Sequence, residues 1–202
     1  MNEGPTFVTD IAFSNSVKKV QERLGSRAAM AWLEQSQRWL TNITPELAKF
    51  LQMRTSIYFS SASADGQPYM QHRGGPPGFI RIIDDKTLEL DDYPGNGQYI
   101  SNGNLAENDR AFIFAMDYEQ KQRIKLWGRA KFLDLNAPKK AYGPIQVIRI
   151  LRFELEAWDV NCKSHLPDFY RRETVELATK KMAGRIAELE AEVTRLRKAL
   201  NN

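Results

Sequence analysis

Arg73, followed by Gly74 and Gly75, is the first group in this sequence whose residue types suit ligand chemistry. The residues before it, from Pro68 onward, have the composition of a strand, so the guanidinium stands at a strand end. Arginine offers a planar fork of N–H donors to a phosphate, and glycine lets the backbone approach a ligand closely. The pattern indicates a phosphate site, and a surface ion pair is the commoner alternative for an arginine.

A polar stretch, residues 91–105, is the second candidate, and it lies between two apolar runs at residues 87–90 and 111–116. It contains Pro94, Gly97 and many short polar side chains. Connections of this length rarely lack structure of their own unless they serve a function. Its backbone N–H groups suit a bound ligand, and the alternative is a solvated crossover that contains a short helix.

Nucleophilic catalysis has little support in this sequence. Serines occur near the predicted strands, but there are only two histidines and no Gly-x-Ser-x-Gly elbow. Cys162 and His165 could form a thiol–imidazole pair, but this spacing in a loop has low specificity. Alternation along a strand points His72 away from the face that Gln71 and Arg73 share, so a structural role is expected for His72.

The composition limits the class of protein. The chain has 202 residues, of which 42% are hydrophobic, enough for one domain of generous size or one domain with added helices. The sequence shows no membrane-length apolar run and no secretory signal, and its single cysteine excludes an internal disulfide, so a cytoplasmic location is predicted. The net charge of +4 is too small to indicate nucleic-acid binding by itself. A small anionic ligand would fit this charge as well as a nucleic acid would. A structural zinc site is not expected.

The elements that must position these groups are mainly strands after a helical start. Helical spacing begins at Ser16, resumes over residues 28–40, and begins again at Thr44-Pro45 to run to about Met53. Residues 136–143 are predicted to form a loop or short helix. Strands are predicted over residues 56–63, 68–73, 79–83, 87–90, 110–117, 123–133 and 146–158. Six or seven short strands predict a mainly β, antiparallel barrel with added helices, rather than alternating βαβ units.

The C-terminal segment has a heptad pattern. Its apolar seam steps by alternating fours and threes through Val175, Thr179, Met182, Ile186, Leu189, Val193, Leu196 and Leu200. With Ile186 at a, the flanking g and e positions are Arg185, Glu192, Glu190 and Arg197. These charges attract in both parallel and antiparallel pairs, so they favour pairing without setting its direction. The alternatives are a lone helix packed on its own barrel and a nucleic-acid-binding helix, which the acidic residues disfavour.

Three segments together resemble the FMN-binding split-barrel proteins related to pyridoxamine 5'-phosphate oxidase. They read SADGQPYMQHRGGPPGF at residues 63–79, DYPGNGQYIS at residues 92–101 and LWGRA at residues 126–130. The segment EAWDVNC, residues 156–162, with His165 downstream, is similar to the ending of one branch of that family. The resemblance covers roughly residues 44–166 and leaves out the heptad helix.

The resemblance implies a fold, an assembly and a cofactor. The fold is a six-stranded antiparallel split β-barrel, and the assembly is a homodimer with two FMN molecules at the subunit interface. The domains would be a helical extension over residues 1–43, the barrel over residues 44–166 and a coiled-coil-like helix over residues 167–202. The activity would be that of an FMN-dependent oxidoreductase, with two-electron transfer between a reduced nicotinamide or small substrate and the flavin.

The resemblance also implies the cofactor-binding residues. The end of the second strand would contribute Gln71, His72, Arg73 and Gly74. The loop after the fourth strand would contribute Leu90, Asp91, Asn96, Gly97 and Gln98, with Tyr99 nearby. Contacts to the isoalloxazine ring or the phosphate would come from Arg123, and cover from the partner chain would come from Trp158 and Asn161. No catalytic acid or base is assigned.

The chain departs from the true oxidase at two places. Where the oxidase has two adjacent basic residues, this chain has Asn96-Gly97-Gln98, so the phosphate charge would be met by Arg73 with Arg123 or Lys125. The oxidase ends in an Arg-x-His segment, and this chain has residues 158–162 and then a helix. The substrate is therefore unassigned. The alternative function is a non-enzymatic module that binds flavin or haem, and the only histidines for a haem iron are His72 and His165.

Overall fold

The computed structural model describes residues 7–140, 145–160 and 164–200. After a 3₁₀ turn at Val8–Ile11, the helices are α1 Asn15–Arg23, α2 Arg27–Gln35, α3 Pro45–Gln52, α4 Ile100–Glu107 and α5 Arg172–Leu200. The strands are β1 Ser56–Ala62, β2 Pro68–Gly74, β3 Ile80–Ile82, β4 Thr87–Asp92, β5 Arg110–Asp117, β6 Gln122–Lys140 and β7 Gln146–Val160. Each of the seven runs predicted as a strand thus forms one.

The strands form one antiparallel sheet in the order β2-β1-β5-β6-β7-β4-β3. The mainly β, antiparallel class with added helices is confirmed. In the described part of the chain, seven strands pair in an open order with β2 and β3 at the edges, which differs from the six strands that the resemblance implied. The β1–β2 hairpin has the predicted Asp65-Gly66 turn, where Gly66 has a φ of +91° that glycine tolerates.

The core lies on one face of this sheet and under α3. On β1 and β5 the buried residues alternate with partly exposed ones, as expected for strands with one face in the core. Helix α3 begins where predicted, because Thr44 Oγ1 accepts a hydrogen bond from Leu47 N at 3.3 Å and Pro45 occupies the first turn. Its Leu47 and Leu51 are fully buried, which stabilises the fold by about 1.5–3 kcal/mol for each side chain.

Strand β6 is longer than predicted. Residues 136–140 continue the strand, so the loop or short helix predicted for residues 136–143 is wrong there, and residues 141–144 lie outside the described part. Pairing with β7 explains the difference. The register shifts between Asp134 and Lys139, and beyond that shift Lys139 lies opposite Val147. A second register shift lies between Trp127 and Gly128. A Cβ on Gly128 would lie 2.1 Å from the Glu154 carbonyl oxygen, so the close strand approach requires glycine here.

The second helix ends earlier than its periodicity predicts. Helix α2 stops at Gln35, and the helix predicted to continue to Leu40 is wrong over its last residues. Leu40 instead exchanges two backbone hydrogen bonds with Trp158 on β7, at 3.2 and 2.9 Å. The neighbouring Trp39 stacks on Trp127 with ring centroids 4.5 Å apart. Tertiary pairing and aromatic packing therefore override the local helical pattern.

The chain divides into two compact units, Met1–Asp117 with Gln122–Lys163, and Tyr118–Lys121 with Ser164–Asn202. The first holds the N-terminal helices and the sheet. The second contains α5, which confirms the predicted helix. At the start of α5, Glu119 Oε1 accepts hydrogen bonds from Arg171 N and Thr174 Oγ1, both at 2.8 Å. None of the helices in the described ranges is both long and apolar enough to cross a membrane.

Candidate functional site

A groove in the first unit is formed by β2, β6, β7, the segment after β4 and the start of α4. Its cavity volume is about 50 Å³. The predicted site residues that line it are Gln71, Arg73, Asn96, Gly97, Gln98 and Tyr99. The structure therefore brings together the two segments, from β2 and from the loop after β4, on which the sequence prediction depended.

Two arginines and one aspartate form the charged centre of this groove. Arg73 Nη1 lies 2.6 Å from Asp92 Oδ1, while Arg149 donates to Asp92 Oδ2 from Nε at 3.0 Å and from Nη2 at 2.8 Å. The three side chains are only 7–17% exposed. Two cations share one carboxylate, so the cluster keeps an excess of one positive charge at the groove. Such an excess, sheltered from solvent, favours an anionic ligand.

Aromatic rings hold the two guanidinium groups in place. The Phe132 ring centroid lies 5.4 Å from Arg73 Cζ and 4.9 Å from Arg149 Cζ. Arg73 also lies over Phe59, and Arg149 lies over Tyr99. These cation–π contacts orient both forks and exclude water from one side of them. Arg73 Nε is buried without a hydrogen-bond partner among the described residues, so this guanidinium keeps unused donor capacity.

The loop after β4 lines the same groove, and within it the Gln98 N–H donates to Asn96 Oδ1 at 3.1 Å. Gly97 has a φ of +77° and Tyr99 a φ of +51°, and these left-handed residues turn the chain sharply into α4. Tyr99 makes no side-chain cap, so the first N–H groups of α4 keep no side-chain partner at that position. Ser101 Oγ donates to Gln71 Oε1 at 3.2 Å and ties this helix end to β2. The positive end of the helix dipole favours an anion at this place.

Four other predicted residues of these segments lie differently. His72 is on the opposite face of β2, as alternation predicted, and its Nε2 is 2.9 Å from Ser56 Oγ. Gly74 ends β2, where an added Cβ would be 3.1 Å from the Thr55 carbonyl oxygen. Leu90 is fully buried in the core, and Asp91 forms an ion pair with Arg81. The side chains of Leu90 and Asp91 are thus engaged within the chain.

Of the remaining predicted residues, Arg123 and Trp158 are not among the described residues that line the groove. Arg123 lies opposite Met116 in the β5–β6 pair, and its buried Nε has no hydrogen-bond partner among the described residues. Trp158 is buried, and its Nε1 donates to the Asn42 carbonyl oxygen at 2.9 Å. Asn161 lies outside the described residues. Burial raises the pKa of Asp159, next to Trp158, and the charge of Lys125 opposes part of this shift.

Arg149 was not among the residues predicted from the sequence. The prediction took the phosphate charge from Arg73 with Arg123 or Lys125, whereas the structure places Arg149 beside Arg73. Arg149 lies directly opposite Asp92 in the β4–β7 pair. Its only sequence signal was a basic residue in a strand that also holds Arg152 and several acidic residues. That signal could not show which strand would be its neighbour.

Comparison with known proteins gives a family match. The sequence model of the pyridoxamine 5'-phosphate oxidase family matches residues 43–158. No curated protein sequence matches the chain.

Several solved structures are similar at low sequence identity. HupZ of Group A Streptococcus is 20% identical, with 58% of this chain and 93% of that chain covered and a TM-score of 0.45. A putative pyridoxamine 5'-phosphate oxidase from Lactobacillus delbrueckii is 16% identical, with 59% and 95% covered and a TM-score of 0.45. An FMN-binding protein from Syntrophomonas wolfei is 15% identical, with 69% and 97% covered and a TM-score of 0.42. Because the family match extends over more than half of the sequence, the chain belongs to the pyridoxamine 5'-phosphate oxidase family.

Proposed function

We propose that this protein is an FMN-binding flavoprotein of the split-barrel type, active as a homodimer in two-electron transfer. The observation that carries the proposal is the Arg73–Asp92–Arg149 cluster at the groove beside the start of α4. Family membership makes FMN the first cofactor to consider, and the groove offers a place for its phosphate. The electron donor would be a reduced nicotinamide or another small molecule.

The charge of the groove fits a phosphate monoester. Such a group carries a charge of about −1.5 to −2 at pH 7. The cluster contributes one excess positive charge, and a helix N-terminus adds the equivalent of about half a charge. The loop residues Asn96 and Gln98 supply amide groups at the same groove. Arg149 from β7 would then take the place of the two adjacent basic residues that the true oxidase has in the loop after β4.

The size of the groove supports a shared site. Cavities that enclose a ligand of this size measure about 300–1,000 Å³, and the groove of one chain has about 50 Å³. One chain therefore has room for the phosphate end and needs a further wall for the ring system. A second copy of the chain would supply that wall.

The outer face of the sheet is suited to receive that second copy. Met70 is 64% exposed on β2, and Tyr58, Phe112 and Phe114 are partly exposed on the neighbouring strands. The pairing registers place these side chains in one aromatic patch. Arg123 and Lys125 continue this face on β6, because they lie opposite Met116 and Phe114. Arg123 would then act at the interface rather than in the groove of its own chain.

Within this proposal the chain binds and orients the cofactor. Arg73 and Arg149 would hold the phosphate, while Gln71, fixed by Ser101, would lie next to it. Bound FMN would supply reversible two-electron chemistry, which the protein tunes through hydrogen bonds and charge. The surrounding rings, Phe132 and Tyr99, would keep water from the guanidinium groups.

The test is cofactor identification followed by titration. Purified protein should show or take up flavin, with an absorption band at about 450 nm, and it should bind FMN more tightly than riboflavin, which lacks the phosphate. A reduced nicotinamide added without oxygen should then bleach that band. A Soret band would replace this proposal by haem binding, and a colourless protein that does not take up FMN would reject it.

A further inference from the structure

Helix α5 carries an apolar stripe along its whole length. It runs from Arg172 to Leu200, and every one of its 29 residues is exposed. Ile186, Leu189, Val193 and Leu196 remain 45–56% exposed. Helices in proteins owe most of their stability to the packing of an apolar face, so a helix of this length with such a stripe needs a partner.

The spacing and residue types of the stripe identify that partner. We propose that α5 pairs in parallel with α5 of a second copy of this chain, as a two-stranded coiled coil. Position a is held by the β-branched Ile186 and Val193, and position d by Leu189 and Leu196. β-Branched residues at a with leucine at d favour two parallel strands over larger bundles. The apolar residues that extend the seam at both ends are Val175, Met182 and Leu200.

The charges beside the seam are complementary in this arrangement, as they also are in an antiparallel pair, so they support the pairing and not its direction. In a parallel pair, Arg185 faces Glu190 of the second copy. In the single chain Arg185 instead lies 2.9 Å from Glu188 along its own helix, and Arg195 lies 2.5 Å from Glu192. Such exposed pairs within a helix contribute only about 0.3–0.5 kcal/mol. They can therefore be exchanged for contacts between helices at little cost.

The direction of pairing decides where the 118–121 turns of the two copies lie, because this turn is bonded to the start of α5. Glu119 is tied to Arg171 and Thr174 at that end. A helix of 29 residues is about 43 Å long. Parallel pairing brings the two copies of the 118–121 turn to the same end of the coil, whereas antiparallel pairing places them at opposite ends.

Disulfide trapping at position 196 tests both the pairing and its direction. Cys162 is the one native cysteine, so the background is Cys162→Ser, with Leu196→Cys in the seam and Lys198→Cys at the outward f position as the matched control. In a parallel coil the two copies of residue 196 meet. In an antiparallel seam residue 196 would face Thr179, and its two copies would be about 25 Å apart, beyond the Cα separation of about 7 Å that a disulfide tolerates.

The full-length variants are oxidised mildly without added flavin, so that the result does not depend on the proposed cofactor. We expect near-complete loss of the monomer band for Leu196→Cys on a non-reducing gel, retention of that band for Lys198→Cys, and a mass of two chains by light scattering. Equal behaviour of the two variants, together with no cross-linking of the Thr179→Cys, Leu196→Cys double variant, would overturn the pairing. Cross-linking of Thr179→Cys with Leu196→Cys, without cross-linking of Leu196→Cys alone, would overturn the parallel direction. A mass above two chains would overturn the two-stranded coil.

Discussion

Replacement of Arg149 by alanine tests the groove against a closely matched control on the same strand. Arg149 binds one oxygen of Asp92 through Nε at 3.0 Å and Nη2 at 2.8 Å. Arg152 binds one oxygen of Glu89 in the same manner, at 3.0 and 2.6 Å. Arg149 lines the groove, whereas Arg152 does not belong to its lining. The variants Arg149→Ala and Arg152→Ala therefore remove the same kind of ion pair at two different places.

The expected loss of FMN affinity follows from the hydrogen bonds that Arg149 would make to the phosphate. A hydrogen bond to a charged group contributes about 1.5–3 kcal/mol, which corresponds to a roughly 10- to 150-fold higher Kd. Arg152→Ala should leave the Kd nearly unchanged. After Arg149→Ala, Asp92 keeps Arg73 Nη1 as its partner at 2.6 Å. The free energy of unfolding therefore falls less than it would if the carboxylate had no partner.

Fluorescence titration with FMN and with riboflavin measures the effect. Arg149→Ala should weaken FMN binding and leave riboflavin binding unchanged, because riboflavin carries no phosphate. Urea unfolding of both variants separates a binding defect from a stability defect. If Arg149→Ala and Arg152→Ala bind FMN equally well, or if riboflavin binding falls together with FMN binding, the assignment of Arg149 to the phosphate is wrong.

Three further substitutions test the fold. Gly128→Ala should destabilise the protein by about 3 kcal/mol or more, because the new Cβ would lie 2.1 Å from the Glu154 carbonyl oxygen. Gly95→Ala, with no atom within 4 Å of the added Cβ, is the control in the same urea titration. Asp159→Asn should stabilise the protein at pH 7. Burial raises the pKa of Asp159 in the folded state above the ordinary 3.8, so the unfolded chain loses this proton at a lower pH than the folded chain does, and the buried charge destabilises the fold increasingly above pH 3.8. The stability gained by the substitution should therefore vanish below pH 3.8. Gly184→Ala, which also meets nothing within 4 Å, should raise the stability of α5 by about 1 kcal/mol, measured by circular dichroism on heating.

The strands could be predicted because their signal is local. Alternating burial along β1 and β5 follows directly from the order of apolar and polar residues. The same holds for the Asp65-Gly66 turn and for the seven-residue period of α5, since neither needs a distant partner. Arg73 could be proposed as a phosphate ligand from its residue type and its position before two glycines.

The charged cluster could not be predicted, because it depends on strand neighbours. Asp92 and Arg149 are 57 residues apart, and nothing near either residue indicates that β4 pairs with β7. The same limit explains α2, whose predicted end at Leu40 gave way to pairing with Trp158. Leu90 was taken from the family pattern by position, and its side chain is fully buried in the core. Position in a motif thus locates a segment, while the burial of each side chain decides which atoms reach a ligand.

Asp92 has a further consequence for how the protein would acquire the proposed cofactor. Its two oxygens already serve as the internal counter-ion of Arg73 and Arg149, with one oxygen for each. Two sheltered guanidinium groups without that carboxylate would repel each other and oppose folding. With it, the cluster is electrostatically tolerable within the chain itself, so under the proposed function the chain would fold first and load its cofactor afterwards. The apo-protein would then be a stable species, and the cofactor would exchange reversibly with the pool in solution.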